Sequence, residues 1–332
     1  MKLNRDKVAK QAGVSTATVS RAFNKPNSVS PDARRKVLTA AQQLGYTPNK
    51  FASALARNAT GRILFADCNK LAVHDESHKW FYASLYKSSL EAVLHKIEPS
   101  PYHLTIDFDG ASDPQDYDAI LLYDVDSPDQ VQRYKTAGIP LVYGHHLAGF
   151  FSGNRVGVDN VAGSAQASSY LLNSGCRNIA YVTGALPQLN SHVARLEGFL
   201  KGLGPEKDNC KIIEVMVGPE GGRSAARQLS PYIKGGKIDG IGVVNDLTAF
   251  GLVQELLARG IRIPNDVSVI GFDNLPINDL LPFKLTTLDL RLEEIYARGA
   301  GMLLDMLSDS GKENREEAKV LFEPELIIGE SV

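Results

Sequence analysis

Residues 14–24 read VSTATVSRAFN. Their helical spacing puts Thr16, Ala17, Ser20, Arg21 and Asn24 on one face and Thr18, Val19, Ala22 and Phe23 on the other. The second face is apolar and fits a small core. The first carries only short side chains and a single guanidinium. A slim face of this kind fits the major groove of DNA without steric conflict. There Arg21 can bind a guanine edge through two hydrogen bonds, a contact that discriminates by ~1–3 kcal/mol. Ser15 is placed to cap the helix, and Ser15 and Ser20 stand where phosphate contacts fall.

The flanking sequence builds a frame for that helix. Asn4 is a cap for a first helix running to Ala12, with Gly13 as its terminator. Pro26 and Asn27 break the chain. Ser30 followed by Pro31 signals a third helix, which reaches Leu44 and stops at Gly45. Three short helices with a tight glycine turn between the first two make a helix-turn-helix, with Val8, Val37, Leu38 and Ala41 expected against the apolar face of the second. Charge agrees with a polyanion partner. Residues 1–60 carry a net charge of +9 and the rest of the chain −11, a basic head on an acidic body.

Residues 46–61, YTPNKFASALARNATG, follow. Pro48 bars backward extension, and Asn49 can cap a helix through Arg57. A helix this short is marginal in water and needs a partner to fold on.

From Arg62 the texture changes. RILFAD, HLTIDF, YDAILLYDVD, IPLVYG, NRVGVDN, NIAYVTG, KIIEVM, GIGVVN and DVSVIGFDN are short apolar runs with amphipathic stretches between most of them. That alternation predicts an α/β body with parallel sheets. Their number predicts two sheets with a cleft between, and the polar strand endings mark where ligands bind. No apolar run approaches the ~20 residues of a membrane span, and the first residues lack the apolar stretch of a signal peptide. A cytoplasmic location is expected. The three cysteines are scattered and read as buried thiols. No GxSxG, P-loop or HExxH motif is present; neither an enzyme activity nor a cofactor is expected.

The stretch VAKQAGVSTATVSRAFN, continued by VSPDARRKVLTAAQQLGYTPNKFASALA, resembles the N-terminal module of the lactose/galactose repressor (LacI/GalR) family almost without gaps. The body segments ARLEGF, NDLTAFG, IPNDVSVIGFDN and LTTLDL resemble the same family, whose body is similar to periplasmic sugar-binding proteins. The resemblance implies an all-α helix-turn-helix head over residues 1–47, a hinge helix and linker over 48–60, and an effector-binding body over 61–332. It divides the body into an N-terminal subdomain (about 61–157 and 287–318) and a C-terminal one (about 158–286 and 319–332). Thr16, Ala17 and Arg21 would read bases. Asn49, Ala52 and Leu55 would contact DNA from the hinge, with Leu55 as a minor-groove wedge.

Carried over residue by residue, Arg195, Asn245 and Asp273 would line the effector cleft, with Trp80, Phe81, Tyr123 and His145 beside them. That set suits a polyol: charged groups and amides for hydroxyls, a ring for the apolar face of a sugar. Three departures stand out. His145 and His146 occur where relatives often have an Asp followed by a variable residue; adjacent side chains diverge from a strand, so no metal is expected. Val217 falls where several relatives have an aromatic cover. Residues 105–124 are short by about fifteen residues for a usual βαβ crossover, so one helix is missing. A galactoside-responsive branch of the family looks similarly short, which hints at a galactoside effector. No leucine heptad ends the chain, so a homodimer reading a pseudo-palindromic operator is expected. The implied function is a sugar-switched repressor of a carbohydrate-utilisation operon. A regulator answering a nucleobase or another small molecule, and a sugar-processing enzyme on the same body, are the alternatives.

Overall fold

A computed structural model of the chain describes residues 5–24, 28–46, 59–68, 79–125, 128–145, 152–184, 190–308 and 317–332. The head consists of α1 (Arg5–Ala12), α2 (Thr16–Asn24) and α3 (Pro31–Leu44). Each boundary has a local cause. Gly13 takes φ 65°, ending α1 and opening the turn. The Ser15 hydroxyl accepts the Thr18 amide at 3.1 Å, and that of Ser30 accepts the Ala33 amide at 3.3 Å. Gly45 closes α3 at φ 64°, and the Tyr46 amide returns to the Ala41 carbonyl at 2.8 Å. Val8, Ala9, Ala12, Val19, Ala22, Val37, Ala40 and Ala41 form the head's core. Leu38, expected in it, is instead 41% exposed. Positions 37, 40, 41 and 44 fill the inward stripe of α3, and residue 38 lies about 100° round the helix from 37. Asn4, Asn49, Ala52 and Leu55 fall outside the described residues.

The first part of the body runs β1 (Arg62–Asp67), α4 (Lys79–Ile97), β2 (His103–Asp107), β3 (Ala119–Tyr123), α5 (Pro128–Lys135), β4 (Leu141–His145) and β5 (Asn154–Val158). The second runs α6 (Asn160–Asn173), β6 (Ile179–Thr183), α7 (Asn190–Leu203), β7 (Lys211–Glu214), α8 (Pro219–Lys234), β8 (Gly240–Val243), α9 (Asp246–Ala258) and β9 (Ser268–Ile270). The chain then crosses by β10 (Thr287–Asp289), returns to the first part as α10 (Leu292–Ser308) and β11 (Lys319–Phe322), and crosses back by β12 (Glu325–Ile327), which pairs antiparallel with β10. All nine quoted apolar runs are strands.

The first sheet is parallel, ordered β2-β1-β3-β4-β5-β11, and the second is parallel, ordered β7-β6-β8-β9. Each reverses its winding beside its first strand, between β1 and β3 and between β6 and β8. Crevices at the carboxyl ends of such strands are where open α/β sheets bind ligands. The final segment is divided differently from the sequence expectation. The family resemblance groups residues 319–322 with the second sheet, but β11 extends the first by pairing with β5, which covers what would otherwise be an open edge. Only beyond it does the chain reach the second sheet, where the Val269 amide donates to the Ser331 carbonyl at 2.8 Å.

The missing helix is missing. Between β2 and β3 there is a single 3-10 turn, Pro114–Asp116. The short connection is pinned at both ends. Asp107 accepts the amides of Asp109, Gly110 and Ser112, and Arg133 of α5 donates to the carbonyls of Gly110 and Ser112. The register pairs Ile63 with Leu104 and Leu64 with Thr105. Strand alternation therefore sends His103, Thr105 and Asp107 to the face the helix would have covered, and Leu104 to the face under α4. The strand is polar where its cover is absent.

Candidate functional site

The head presents α2 as its spacing predicts. Thr16, Ala17 and Arg21 are exposed, Ser20 is half-buried, and Val19 and Ala22 are buried. Asn24 ends the helix; its side chain is outside the described ones. The Arg21 guanidinium folds back, Nε donating to the Ala17 carbonyl at 3.4 Å. Ser15 is occupied as a cap and lies 2.9 Å from the Thr18 hydroxyl.

In the body, three of the residues expected in the cleft come together at the carboxyl ends of β8 and β9. Arg195, on the first turns of α7, is 3% exposed. Its guanidinium is held from three sides: Nε donates to Asn160 Oδ1 at 2.8 Å, Nη1 to the Val244 carbonyl at 2.7 Å, and Nη2 faces Asp273 Oδ1 at 3.0 Å. The ring of Phe272 lies 3.9 Å from its central carbon, a stacked cation. Asn245 is buried and caps α9, its Oδ1 accepting the Thr248 amide at 3.0 Å.

The backbone that carries Asp273 is strained. Asp273 has φ 109° and Asn274 φ 53°, both in the region that disfavours a side chain. The strain is held by hydrogen bonds: Asp273 amide to Leu288 carbonyl at 2.8 Å and Asn274 Nδ2 to Asp289 Oδ2 at 2.8 Å. Beneath it, the fully buried Asp246 accepts from the Leu275 amide at 2.9 Å, Asn278 Nδ2 at 2.7 Å and the Thr287 hydroxyl at 2.7 Å. Burial, and then the neighbouring Asp273, push the Asp246 carboxyl up to about 7. A cavity of about 410 Å³ lies beside Asp273, between Ser84 and Ser88 of α4 and Asn274 and Arg291. Elements of both sheets line it.

Tyr123 differs from expectation. Its ring is 1% exposed and belongs to the core of the first sheet, stacked on Tyr296 at 5.0 Å and edge-on to Tyr86 at 4.9 Å. Alternation at the end of β3 turns residue 123 toward α4 and α10. Trp80 and Phe81 sit on the first turn of α4 and His145 ends β4, but their side chains lie outside the described ones. Among the described residues no group of His, Cys, Asp and Glu could hold a metal ion, and no helix is long and apolar enough to cross a membrane.

The sequence reading missed Asn160, Phe272, Asp246 and His192. His192 stands three residues before Arg195, a spacing that shares a helix face, so it was findable. It is 6% exposed. Burial and the Arg195 charge hold its imidazole down to about 4, so it is neutral at pH 7. Asn160 lies 35 residues from Arg195, and only the packing of α6 on α7 joins them.

Two family models match the chain: bacterial regulatory proteins of the lacI family over residues 6–49, and a periplasmic binding protein-like domain over residues 169–332. The HTH-type transcriptional regulator GalS of Salmonella typhimurium is 31% identical, covering 90% of each chain. The HTH-type transcriptional regulator CelR of Thermobifida fusca is 28% identical over 98% of this chain and 96% of its own. Among solved structures, a CelR–cellobiose complex superposes with a TM-score of 0.66 at 24% identity, covering 100% of both chains. The lac repressor dimer bound to operator and an anti-inducer does so at 0.65 and 20% identity, covering 100% of this chain and 99% of that one. These two likenesses speak for the fold.

Proposed function

Because the chain belongs to the LacI family of bacterial regulatory proteins, DNA-binding transcriptional regulators rather than enzymes, we propose that it is a repressor whose operator affinity is switched by an uncharged polyhydroxy ligand in the cleft between its two sheets. The observation that carries the reading is the pairing of two sites in one chain: an exposed Thr16–Ala17–Arg21 face on a basic head, and the buried Arg195–Asp273–Asn245 cluster at the strand ends of the body.

In this reading Thr16, Ala17 and Arg21 read base edges, Ser20 and Asn24 border them, and Asn49, Ala52 and Leu55 act from the hinge as the twin helices of a homodimer meet over a pseudo-palindrome. Arg195 and Asp273 supply charge-assisted hydrogen bonds to hydroxyls, and Asn245 a donor and an acceptor. Trp80, Phe81 and His145 complete the wall. The core position of Tyr123 leaves it supporting the wall from behind. Ligand closes the cleft by bridging the two sheets, and closure moves the first-sheet units of the dimer relative to each other. An inducer favours the arrangement that parts the hinge helices, a corepressor the one that joins them. The relatives' names support a carbohydrate ligand: CelR binds cellobiose in its complex. The short β2–β3 connection supports a galactoside. The protein acts in the cytoplasm, where its operator is.

Selection of bound oligonucleotides from a random pool, with and without a panel of neutral sugars and purines, tests this. An enriched inverted repeat, weakened by one sugar and lost in Arg21→Ala, is the expected result. No enriched site under any condition defeats it. A purine as the active ligand defeats the polyol reading and leaves the regulator standing.

A further inference from the structure

His192 is a buried polar side chain, within electrostatic reach of Arg195, to which the reading above gives no task. It sits on the first turn of α7, one turn before Arg195 and on the same face. Gly184, the residue after β6, touches it at the point where the second sheet reverses its winding. A methyl group at Gly184 would stand 2.6 Å from His192 Nδ1 and 2.6 Å from Val217 Cγ2, so the bare glycine is what admits the ring next to Val217. Nδ1 has no hydrogen-bond partner among the described residues, and neither has the hydroxyl of the fully buried Thr183, one residue away from Gly184. Buried nitrogens and hydroxyls are nearly always paired, and the exceptions point to a ligand or a water. Arg195, the cation whose charge acts on the ring, is itself engaged by Asp273.

We propose that His192 is a specificity-determining contact of the effector cleft, a neutral imidazole that pairs one hydroxyl of the ligand beside Arg195. The neutral ring offers one nitrogen as acceptor and the other as donor. The acceptor selects a group that carries a proton, as a sugar hydroxyl does and an ionised carboxylate or phosphate does not. The donor-rich guanidinium next to it selects the oxygen side of the same polyol. The contact rests on the polyol reading of the cleft.

The test uses the full chain and calorimetric titration with a panel of neutral mono- and disaccharides that includes D-galactose, lactose, D-glucose and cellobiose. His192→Phe keeps a ring and removes both nitrogens; His192→Asn keeps a donor and an acceptor. The sugar that binds the parent chain should bind His192→Phe at least about tenfold more weakly and His192→Asn within a few fold. Equal affinity of the parent and His192→Phe overturns the contact while leaving the polyol reading in place. A panel in which nothing binds the parent overturns the polyol reading, and the contact with it.

Discussion

Replacing Arg195 with Met removes the centre of the cleft cluster while keeping a side chain of similar length. Asp273 is then left buried, with an exposure of 5%, and without the cation 3.0 Å away. An uncompensated buried charge costs ~3–5 kcal/mol. The carboxyl has an escape, which is to take up a proton. From an ordinary value near 3.9, that costs about 4 kcal/mol at pH 7 and about 1.5 kcal/mol at pH 5, at 1.36 kcal/mol per unit. Asn160 Oδ1 and the Val244 carbonyl also lose their donor, at roughly 1 kcal/mol each. The expected loss is therefore roughly 5–6 kcal/mol at pH 7 and about 3 kcal/mol at pH 5. Adding Asp273→Asn removes the stranded charge, so the double variant should be more stable at pH 7 than Arg195→Met alone by ~2–4 kcal/mol. Urea unfolding followed by far-ultraviolet circular dichroism, without sugar and at both pH values, measures all three quantities. A loss below about 1 kcal/mol at pH 7, an equal loss at the two pH values, or a double variant that costs the sum of the singles would refute the argument that the cluster is held by a desolvated ion pair.

Asp246 and His192 predict opposing pH responses. The Asp246 carboxyl is raised to about 7, so its stabilising contribution is complete below its ordinary value and disappears as the pH rises through 7, a change of roughly 4 kcal/mol. The imidazole of His192 is lowered to about 4, so its contribution is complete above its ordinary value and disappears as the pH falls toward 4, roughly 3 kcal/mol. Thermal melts of the parent should vary little between pH 4.5 and 6.5. Asp246→Asn should gain stability with rising pH over that range and His192→Asn should lose it; two flat profiles would contradict both assignments. Gly198 packs so tightly on α6 that a side chain would overlap the Val161 carbonyl oxygen. Gly198→Ala should therefore cost ~2–3 kcal/mol in urea despite its better helix propensity, and a gain in stability would show that α6 and α7 are not in close contact. In the head, Val37→Ala should lower the temperature at which operator binding is lost, with a stability cost of ~1–2 kcal/mol, while Leu38→Ala should stay within ~0.5 kcal/mol of the parent. The reverse order would place α3 in the wrong rotation.

The sequence by itself determined every element whose cause is local. Ser15, Ser30, Gly13 and Gly45 mark helix ends with their own hydrogen bonds or backbone angles, and the alternation of apolar runs required parallel sheets. The short stretch between β2 and β3 was readable as a lost helix because chain length alone limits a crossover. Arg195, Asn245 and Asp273 are legible because each lies in a motif of the family resemblance. What the tertiary structure decided concerns direction and partnership. Leu38 and Tyr123 are apolar residues in correctly read elements whose orientation depended on which neighbouring positions already filled the core. Residues 319–322 joined the first sheet because β5 had an edge to cover, which no local pattern in Lys319–Phe322 encodes. Asn160 and Phe272 became partners of one guanidinium only when α6 and α7 packed together and β9 ended beside them. Propensity and periodicity act over a few residues, whereas the strength of a buried charge depends on what the whole fold brings within 4 Å of it.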